Sequence, residues 1–213
     1  NIKIMKKIII LFLGVIAFHS LLLSQTNNHW RGEQRTGIYN ETNLLKEWPE
    51  NGPKMLWAFE ELGSGFTSVV PANGKIFITG LIDETGYLFV LSMDGKLEKK
   101  ISYGSEVHGR AEYPGTRSSP AVVDNLVYIP TGHGKLLCID WKSEKEVWVI
   151  DLFEDFDGKN IRWSITENLI IDGDVLYVAP GGEKYNVVAL NRFTGEPIWI
   201  SAGKGELSAY CSP

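Results

Sequence analysis

The chain repeats itself, and that repetition limits its fold more than any other feature. Ser68-Val69-Val70, Asn73-Gly74 and Lys75-Ile76-Phe77-Ile78 form one unit. Ser119-Pro120-Ala121-Val122-Val123, Asp124-Asn125 and Leu126-Val127-Tyr128-Ile129 form a second. Glu167-Asn168-Leu169-Ile170-Ile171, Asp172-Gly173-Asp174 and Val175-Leu176-Tyr177-Val178 form a third. Each is a β-branched run, a tight turn, and a second β-branched or aromatic run. This is a β-hairpin pattern, since Asn, Asp and Gly tolerate positive φ and the flanks suit a pleated sheet. Phe77, Tyr128 and Tyr177 fall at intervals of 51 and 49 residues. Each hairpin is followed by a third apolar run (88–91, 136–139, 187–190), a polar turn, and a fourth run (97–101, 147–150, 198–200).

Four short strands per unit of this length predict an all-β protein, a β-propeller of four-stranded antiparallel blades. An all-β sandwich is the alternative, but it does not require equal spacing. No amphipathic helix longer than ten residues is expected after the first segment. Ser212-Pro213 repeats Ser119-Pro120, so a fourth hairpin is expected to begin there. Propellers close with at least four blades and so protect their edges. The expectation is therefore an incomplete arc of about three blades, a fragment of a longer protein that exposes an apolar blade face and self-associates.

Residues 1–24 read as a secretory signal. Lys6 and Lys7 give a positive start, and residues 8–18 form an eleven-residue apolar stretch extended by Leu21, Leu22 and Leu23. That is short for a span, which needs about 20 apolar residues, although a signal anchor is the rival reading. Cleavage is expected near Ser24-Gln25, leaving no stable membrane span, and Asn1 to Ile4 precede the expected start at Met5. Removing residues 1–24 takes Lys3, Lys6 and Lys7 and no acidic residue, moving the formal charge from −5 to −8. A secreted or periplasmic acidic protein is expected, with no basic excess for nucleic acid. Residues 25–62 are expected to form an N-terminal segment with a strand that could close the ring by completing the last blade, and residues 63–213 the blades, truncated at the C-terminus.

The turn before the fourth strand is the most informative motif. It reads Ala189-Leu190-Asn191-Arg192-Phe193-Thr194-Gly195-Glu196-Pro197-Ile198-Trp199, and one unit earlier Cys138-Ile139-Asp140-Trp141-Lys142-Ser143-Glu144-Lys145-Glu146-Val147-Trp148. Asn or Asp caps turn N–H groups, Gly195 can take a left-handed conformation, and the Trp offers a flat face for the next blade. This resembles the A-x-D-x-x-T-G-x-x-x-W repeat of secreted pyrroloquinoline-quinone-like (PQQ-like) β-propeller proteins. Trp30-Arg31-Gly32, Tyr113-Pro114-Gly115-Thr116-Arg117-Ser118-Ser119-Pro120, Asn160-Ile161-Arg162-Trp163 with Glu167, and Pro180-Gly181-Gly182 extend the resemblance over residues 30–213. Asn191 departs from the usual Asp, Ser143-Glu144 from Thr-Gly, and the first unit has a shortened turn (Ser92-Met93-Asp94-Gly95-Lys96) with no Trp near Lys100.

The resemblance implies two kinds of function. Quinoprotein alcohol dehydrogenases of the superfamily hold PQQ and Ca²⁺ on the propeller axis, with an Asp base and often a disulfide between adjacent cysteines. Here Cys138 and Cys211 stand 73 residues apart. Cys138, among Leu136, Leu137 and Ile139, reads as a buried thiol. No nucleophile elbow, zinc-helix or phosphate-loop motif occurs. Asp155-Phe156-Asp157-Gly158-Lys159-Asn160 lacks the closing Glu of a calcium loop and reads as an inter-blade turn. Asn40-Glu41-Thr42 is a glycosylation sequon, one match in a chain of this length.

Candidate binding residues gather where the chain enters the second and third hairpins: Arg110 and Arg117 with His108, Glu112 and Tyr113, then Arg162, Trp163 and Glu167. An aromatic–arginine mixture near the axis suits an anionic or sugar-like ligand; alternatively Arg117 and Glu167 tie blades together by hydrogen bonds. His133, like His108, reads as a solvated loop residue. Trp48, Trp57, Trp141 and Trp163 are sugar platforms or blade packing, and Trp57 looks like the outer strand of a blade begun elsewhere. The leading expectation is an exported scaffold binding a small molecule, a glycan or an envelope protein. The alternative is a periplasmic PQQ-dependent dehydrogenase of alcohols, polyvinyl alcohol or sugars, with PQQ and Ca²⁺ in the complete ring. A third reading is a role like that of the β-propeller lipoprotein of outer-membrane protein assembly, for which a lipobox cysteine is missing.

Overall fold

A computed structural model describes residues 31–32, 36–39, 41–106 and 113–213. Residues 1–24, which the sequence leads one to expect as a secretory signal, and Trp30, Asn40, His108, Arg110 and Glu112 lie outside them. Blade 1 comprises β1 (Val70–Ala72), β2 (Lys75–Ile82), β3 (Thr85–Ser92) and β4 (Leu97–Ser105). Blade 2 comprises β5 (Ala121–Val123), β6 (Leu126–Pro130), β7 (Lys135–Asp140) and β8 (Lys145–Asp151). Blade 3 comprises β9 (Ile170–Asp172), β10 (Val175–Val178), β11 (Tyr185–Asn191) and β12 (Pro197–Ala202). Each blade is a four-stranded antiparallel meander in chain order. The molecule is an all-β, incomplete propeller, as the repeat led one to expect.

The local chemistry explains the hairpins. Ala72 pairs with Lys75, Val123 with Leu126 and Asp172 with Val175, so two residues make each turn. Asn73 (φ 51), Asp124 (φ 56) and Gly173 (φ 56) hold the left-handed positions such turns require. The last turns follow the motif. Asp140 Oδ1 accepts the N–H groups of Lys142 and Ser143 at 2.9 and 3.0 Å. Asn191 Oδ1 accepts that of Phe193 at 2.9 Å, so the Asn does the work of the usual Asp. The antiparallel order puts these turns on one end of the arc, the turn face. The loops entering each blade and those joining its second and third strands share the opposite end, the entry face.

The blades pack face to face through two apolar clusters. Phe77, Leu88, Val90 and Ile101 of blade 1 meet Val127, Ile129, Leu137, Ile139 and Trp141 of blade 2. Tyr128, Leu136, Cys138 and Trp148 of blade 2 meet Ile171, Leu176, Val178, Val188 and Leu190 of blade 3. Period-two alternation along β6 sends Val127 and Ile129 one way and Tyr128 the other, so one strand serves both cores. Cys138 is buried and Cys211 exposed, both as free thiols.

A recurrent contact joins successive blades. In all three blades a β-bulge falls at the same place, at Val90/Leu91, Cys138/Ile139 and Ala189/Leu190, and re-aims the side chain opposite it. The residues opposite are Lys99, Trp148 and Trp199. The Trp148 ring lies on Gly195 of the next blade, where an added Cβ would come within 3.0 Å of it. Its Nε1–H donates to the Arg192 carbonyl at 3.0 Å. Between blades 1 and 2 both partners change together. Lys99 stands at the Trp position and Glu144 (φ 60) at the glycine position, and they form an ion pair at 2.5 Å. Arg192 completes the second interface, reaching Asp124 Oδ2 at 3.1 Å, Tyr128 Oη at 3.4 Å and the Gly173 carbonyl at 3.0 Å. Trp141 takes its place in the first, edge-on to Phe77 at 5.3 Å. Trp141 is thus blade packing.

Candidate functional site

Three entry-face loops come together beside the axis. Gly65 forms a parallel bridge with Thr116, and the Phe66 N–H donates to the Thr116 carbonyl at 2.8 Å. Gly115 (φ 118) permits this approach, because a Cβ there would sit 2.4 Å from the Ser64 backbone. The third loop is tied in by Ser118 Oγ–H, which donates to the Ile165 carbonyl at 3.1 Å. Over this frame the Arg117 guanidinium lies 4.6 Å from the Phe66 ring centroid and 5.5 Å from that of Trp163. Its Nη2 donates to the Tyr113 carbonyl at 2.8 Å, while Nε is buried without a hydrogen-bond partner among the described residues. Tyr113 stands edge-on to Trp163 at 5.6 Å, and Arg162 reaches the same indole at 5.2 Å.

The site is thus an aromatic and cationic surface drawn from the entry loops of all three blades. Phe66 and Tyr113 are about half exposed, Trp163 is half-buried and Arg162 exposed. Each cation–π contact of this kind contributes about 0.5–1 kcal/mol, and the two made by Arg117, with its bond to the Tyr113 carbonyl, bias its guanidinium toward this position. The Trp163 backbone N–H donates to Tyr210 Oη at 3.2 Å, anchoring the cluster to the loop after β12.

Of the sequence candidates, Arg117, Arg162 and Trp163 meet here, whereas Glu167 does not. Glu167 is buried below, where both its oxygens accept the Ala179 N–H at 2.9 and 3.1 Å. That bond lies within blade 3 and so does not tie blades together. Burial pushes the Glu167 carboxyl up to about 8 against the opposing pull of that N–H. Arg117 links loops by stacking. His133 is exposed, and residues 155–160 lie in the linker between β8 and β9.

Sequence reasoning missed one participant, Phe66, and one further buried carboxylate, Glu106. Phe66 stands 51 residues before Arg117, the same repeat position, so the register could have revealed it. Glu106 is a second buried carboxylate. Its Oε1 accepts the Gly132 N–H at 2.7 Å, the Tyr103 hydroxyl donates to Oε2 at 3.3 Å, and burial pushes it up to about 7. Nothing in its local sequence marks it.

The innermost strands wall an axial cavity of about 360 Å³, lined by residues 68–71 and 119–123, Asn168, Leu169 and Ile171, and capped by Gly32 and Tyr39. None of the sequence candidates lines it. Its polar side chains are the hydroxyls of Ser68, Ser119 and Tyr39 and the amide of Asn168. Calcium takes six to eight oxygens, several of them carboxylate, so this wall does not fit a Ca²⁺–quinone centre. Among the described residues no group of three or more His, Cys, Asp or Glu could hold a metal, and no helix is long and apolar enough to cross a membrane.

A family model described as outer membrane protein assembly factor BamB matches residues 102–213. The chain is similar to the BamB of Burkholderia pseudomallei, 29% identical over 148 residues, covering 68% of this chain and 35% of the relative. It is 33% identical over 91 residues to the BamB of Escherichia coli, covering 41% of this chain and 22% of that one. Among solved structures it is similar to a europium-containing methanol dehydrogenase, with a TM-score of 0.53, 14% identity, and 71% of this chain and 27% of that chain covered. At that identity the likeness shows the propeller fold alone. The chain spans about a third of the first relative's length.

Proposed function

We propose, because this chain belongs to the PQQ-like repeat family described as outer membrane protein assembly factor BamB, that it is an exported propeller scaffold that holds a protein partner during outer-membrane protein assembly. The observation that carries this reading is the entry-face cluster of Phe66, Tyr113, Arg117, Arg162 and Trp163. Trp, Tyr and Arg are the residues that dominate protein–protein binding energy, and they do so when pre-ordered and surrounded by water-excluding neighbours. Here the blades supply the rigidity and the stacked guanidiniums the pre-ordering. Arg117 and Arg162 favour a partner segment carrying carboxylates beside an apolar side chain, since charge-assisted hydrogen bonds to arginine are the strong ones.

A photo-crosslinking residue at Tyr113 or Arg162, compared with one at Phe193 on the turn face, tests this in living cells. Adducts with an outer-membrane assembly component from the entry-face positions alone support the reading. Equal adducts from both faces, or none from the entry face, contradict it.

A further inference from the structure

We infer that the cleft between the outer strands of blades 1 and 2 binds an extended peptide segment of a partner, seating an aromatic side chain between an acidic and a basic one. The cleft is a cavity of about 390 Å³. Tyr103 at the end of β4 bounds it on one side, and Thr131, His133, Lys135, Leu137, Glu146 and Val149 of blade 2 bound it on the other. It shares no residue with the entry-face cluster.

The cavity lies where the first blade interface lacks the aromatic rings of the second. Lys135 pairs with Asp151 as Tyr185 pairs with Ala202, so Lys135 and Tyr185 hold one repeat position. Lys99 and Trp148 hold another, each opposite the bulge. At the second interface Trp148 and Tyr185 both pack into the core. At the first, both positions are lysines. Lys99 is drawn away to Glu144 and to the Lys142 carbonyl at 3.2 Å, and Lys135 is exposed. Tyr103 and Leu137 remain as a buried apolar floor, and Val149 beside them is 43% exposed. An aromatic group placed there would supply from outside the packing that the second interface makes with its own rings.

The charges define what flanks that group. Lys135 puts a cation at one end of the cleft and Glu146 an anion at the other. Among the described residues neither side chain has an ion-pair or hydrogen-bond partner. Lys135 stands four residues before Ile139 on β7, and Ile139 pairs with Glu146. At about 3.3 Å per residue the two ends are roughly 13 Å apart along the strand. An extended peptide spans that distance from its first residue to its fifth, and the side chains of both share a face with the third. The complementary segment therefore carries a carboxylate at the Lys135 end, an aromatic ring over Tyr103 and Leu137, and a basic group at the Glu146 end.

Titrating the protein with a blocked pentapeptide of glutamate, serine, tryptophan, serine and lysine, followed by amide shifts in nuclear magnetic resonance, tests this. Saturable shifts at Thr131, Leu137 and Val149 are expected. Affinity should fall at least about tenfold when alanine replaces the peptide's tryptophan, and as much in Lys135→Tyr, which fills the cleft as Tyr185 fills its counterpart. Glu146→Lys, at an exposed position, should weaken binding severalfold without disturbing the fold. Arg117→Ala with Trp163→Ala should leave the affinity unchanged, which separates this site from the entry-face reading. The inference is overturned by the absence of saturable shifts, by equal affinity for the alanine peptide, by undiminished binding in Glu146→Lys, or by shifts centred on Phe66 and Trp163.

Discussion

Replacing Trp148 by alanine tests whether the blade-to-blade contact, rather than the sheets alone, holds the arc together. Trp148 is 8% exposed, donates to the Arg192 carbonyl at 3.0 Å and packs on Tyr128 at 5.9 Å. Trp-to-Ala changes in cores cost about 3–5 kcal/mol. The equivalent Trp199 is 46% exposed. With about 200 Å² for a Trp side chain, the difference in burial is about 75 Å², or about 2 kcal/mol at about 25 cal/mol per Å². Trp148→Ala should therefore cost about 4 kcal/mol and Trp199→Ala about 2 kcal/mol. Trp148→Phe keeps most of the face and loses the N–H bond, costing roughly 1–2 kcal/mol. Urea unfolding followed by circular dichroism, with the slope unchanged between variants, gives each value. Equal losses at positions 148 and 199, within about 1 kcal/mol, would refute the idea that the following blade makes the difference.

Two buried carboxyls set a pH dependence. Burial raises Glu106 to about 7 and Glu167 to about 8 from an ordinary value of 4.5. The folded chain then keeps protons the unfolded chain releases above pH 4.5, so their contribution is fully present below that pH and is lost as pH rises through 7 and 8. Urea midpoints should fall over this range, and Glu106→Gln should flatten its share, roughly 2–3 kcal/mol; a midpoint that rises from pH 5 to pH 8 in the wild-type chain would contradict this. At the first blade interface, Lys99→Trp and Glu144→Gly should each be near neutral or destabilising alone. Together they should stabilise by about 1 kcal/mol, with coupling of at least about 0.5 kcal/mol in a double-mutant cycle; strict additivity would show that the two positions do not act as a pair. Adding PQQ with Ca²⁺ should leave the melting temperature of this chain unchanged, because the described axial wall offers no carboxylate; a saturable rise would point to a quinone site.

Much of the fold was legible because its signals are local. Val122-Val123 and Leu126-Val127 flanking Asp124-Asn125 spell a hairpin without reference to the rest of the chain, and the spacing of Phe77, Tyr128 and Tyr177 then sets the blade count. Gly195 and Asn191 read correctly because a turn's φ angles and capping bonds are decided within a few residues. The site was harder, since its geometry depends on contacts across loops. Arg117, Arg162 and Trp163 were found from residue type. That Arg117 stacks on Phe66, while Glu167 sinks to hold Ala179, follows from how three blades pack. Glu106 was invisible because an acidic residue after a strand usually faces water. The Lys99–Glu144 exchange looked like drift in a motif, and only the structure shows the two departures meeting.

The most direct test of the scaffold reading is made in the cells that encode the protein. Arg117→Ala with Trp163→Ala removes the centre of the entry-face cluster, and Lys142→Ala with Phe193→Ala is the turn-face control. The quantity to measure is folded, heat-modifiable β-barrel protein in the outer membrane, at matched levels of the two variant scaffolds. A severalfold drop with the entry-face pair alone is the expected result. An undiminished level with that pair, or the same drop with both, would contradict the account.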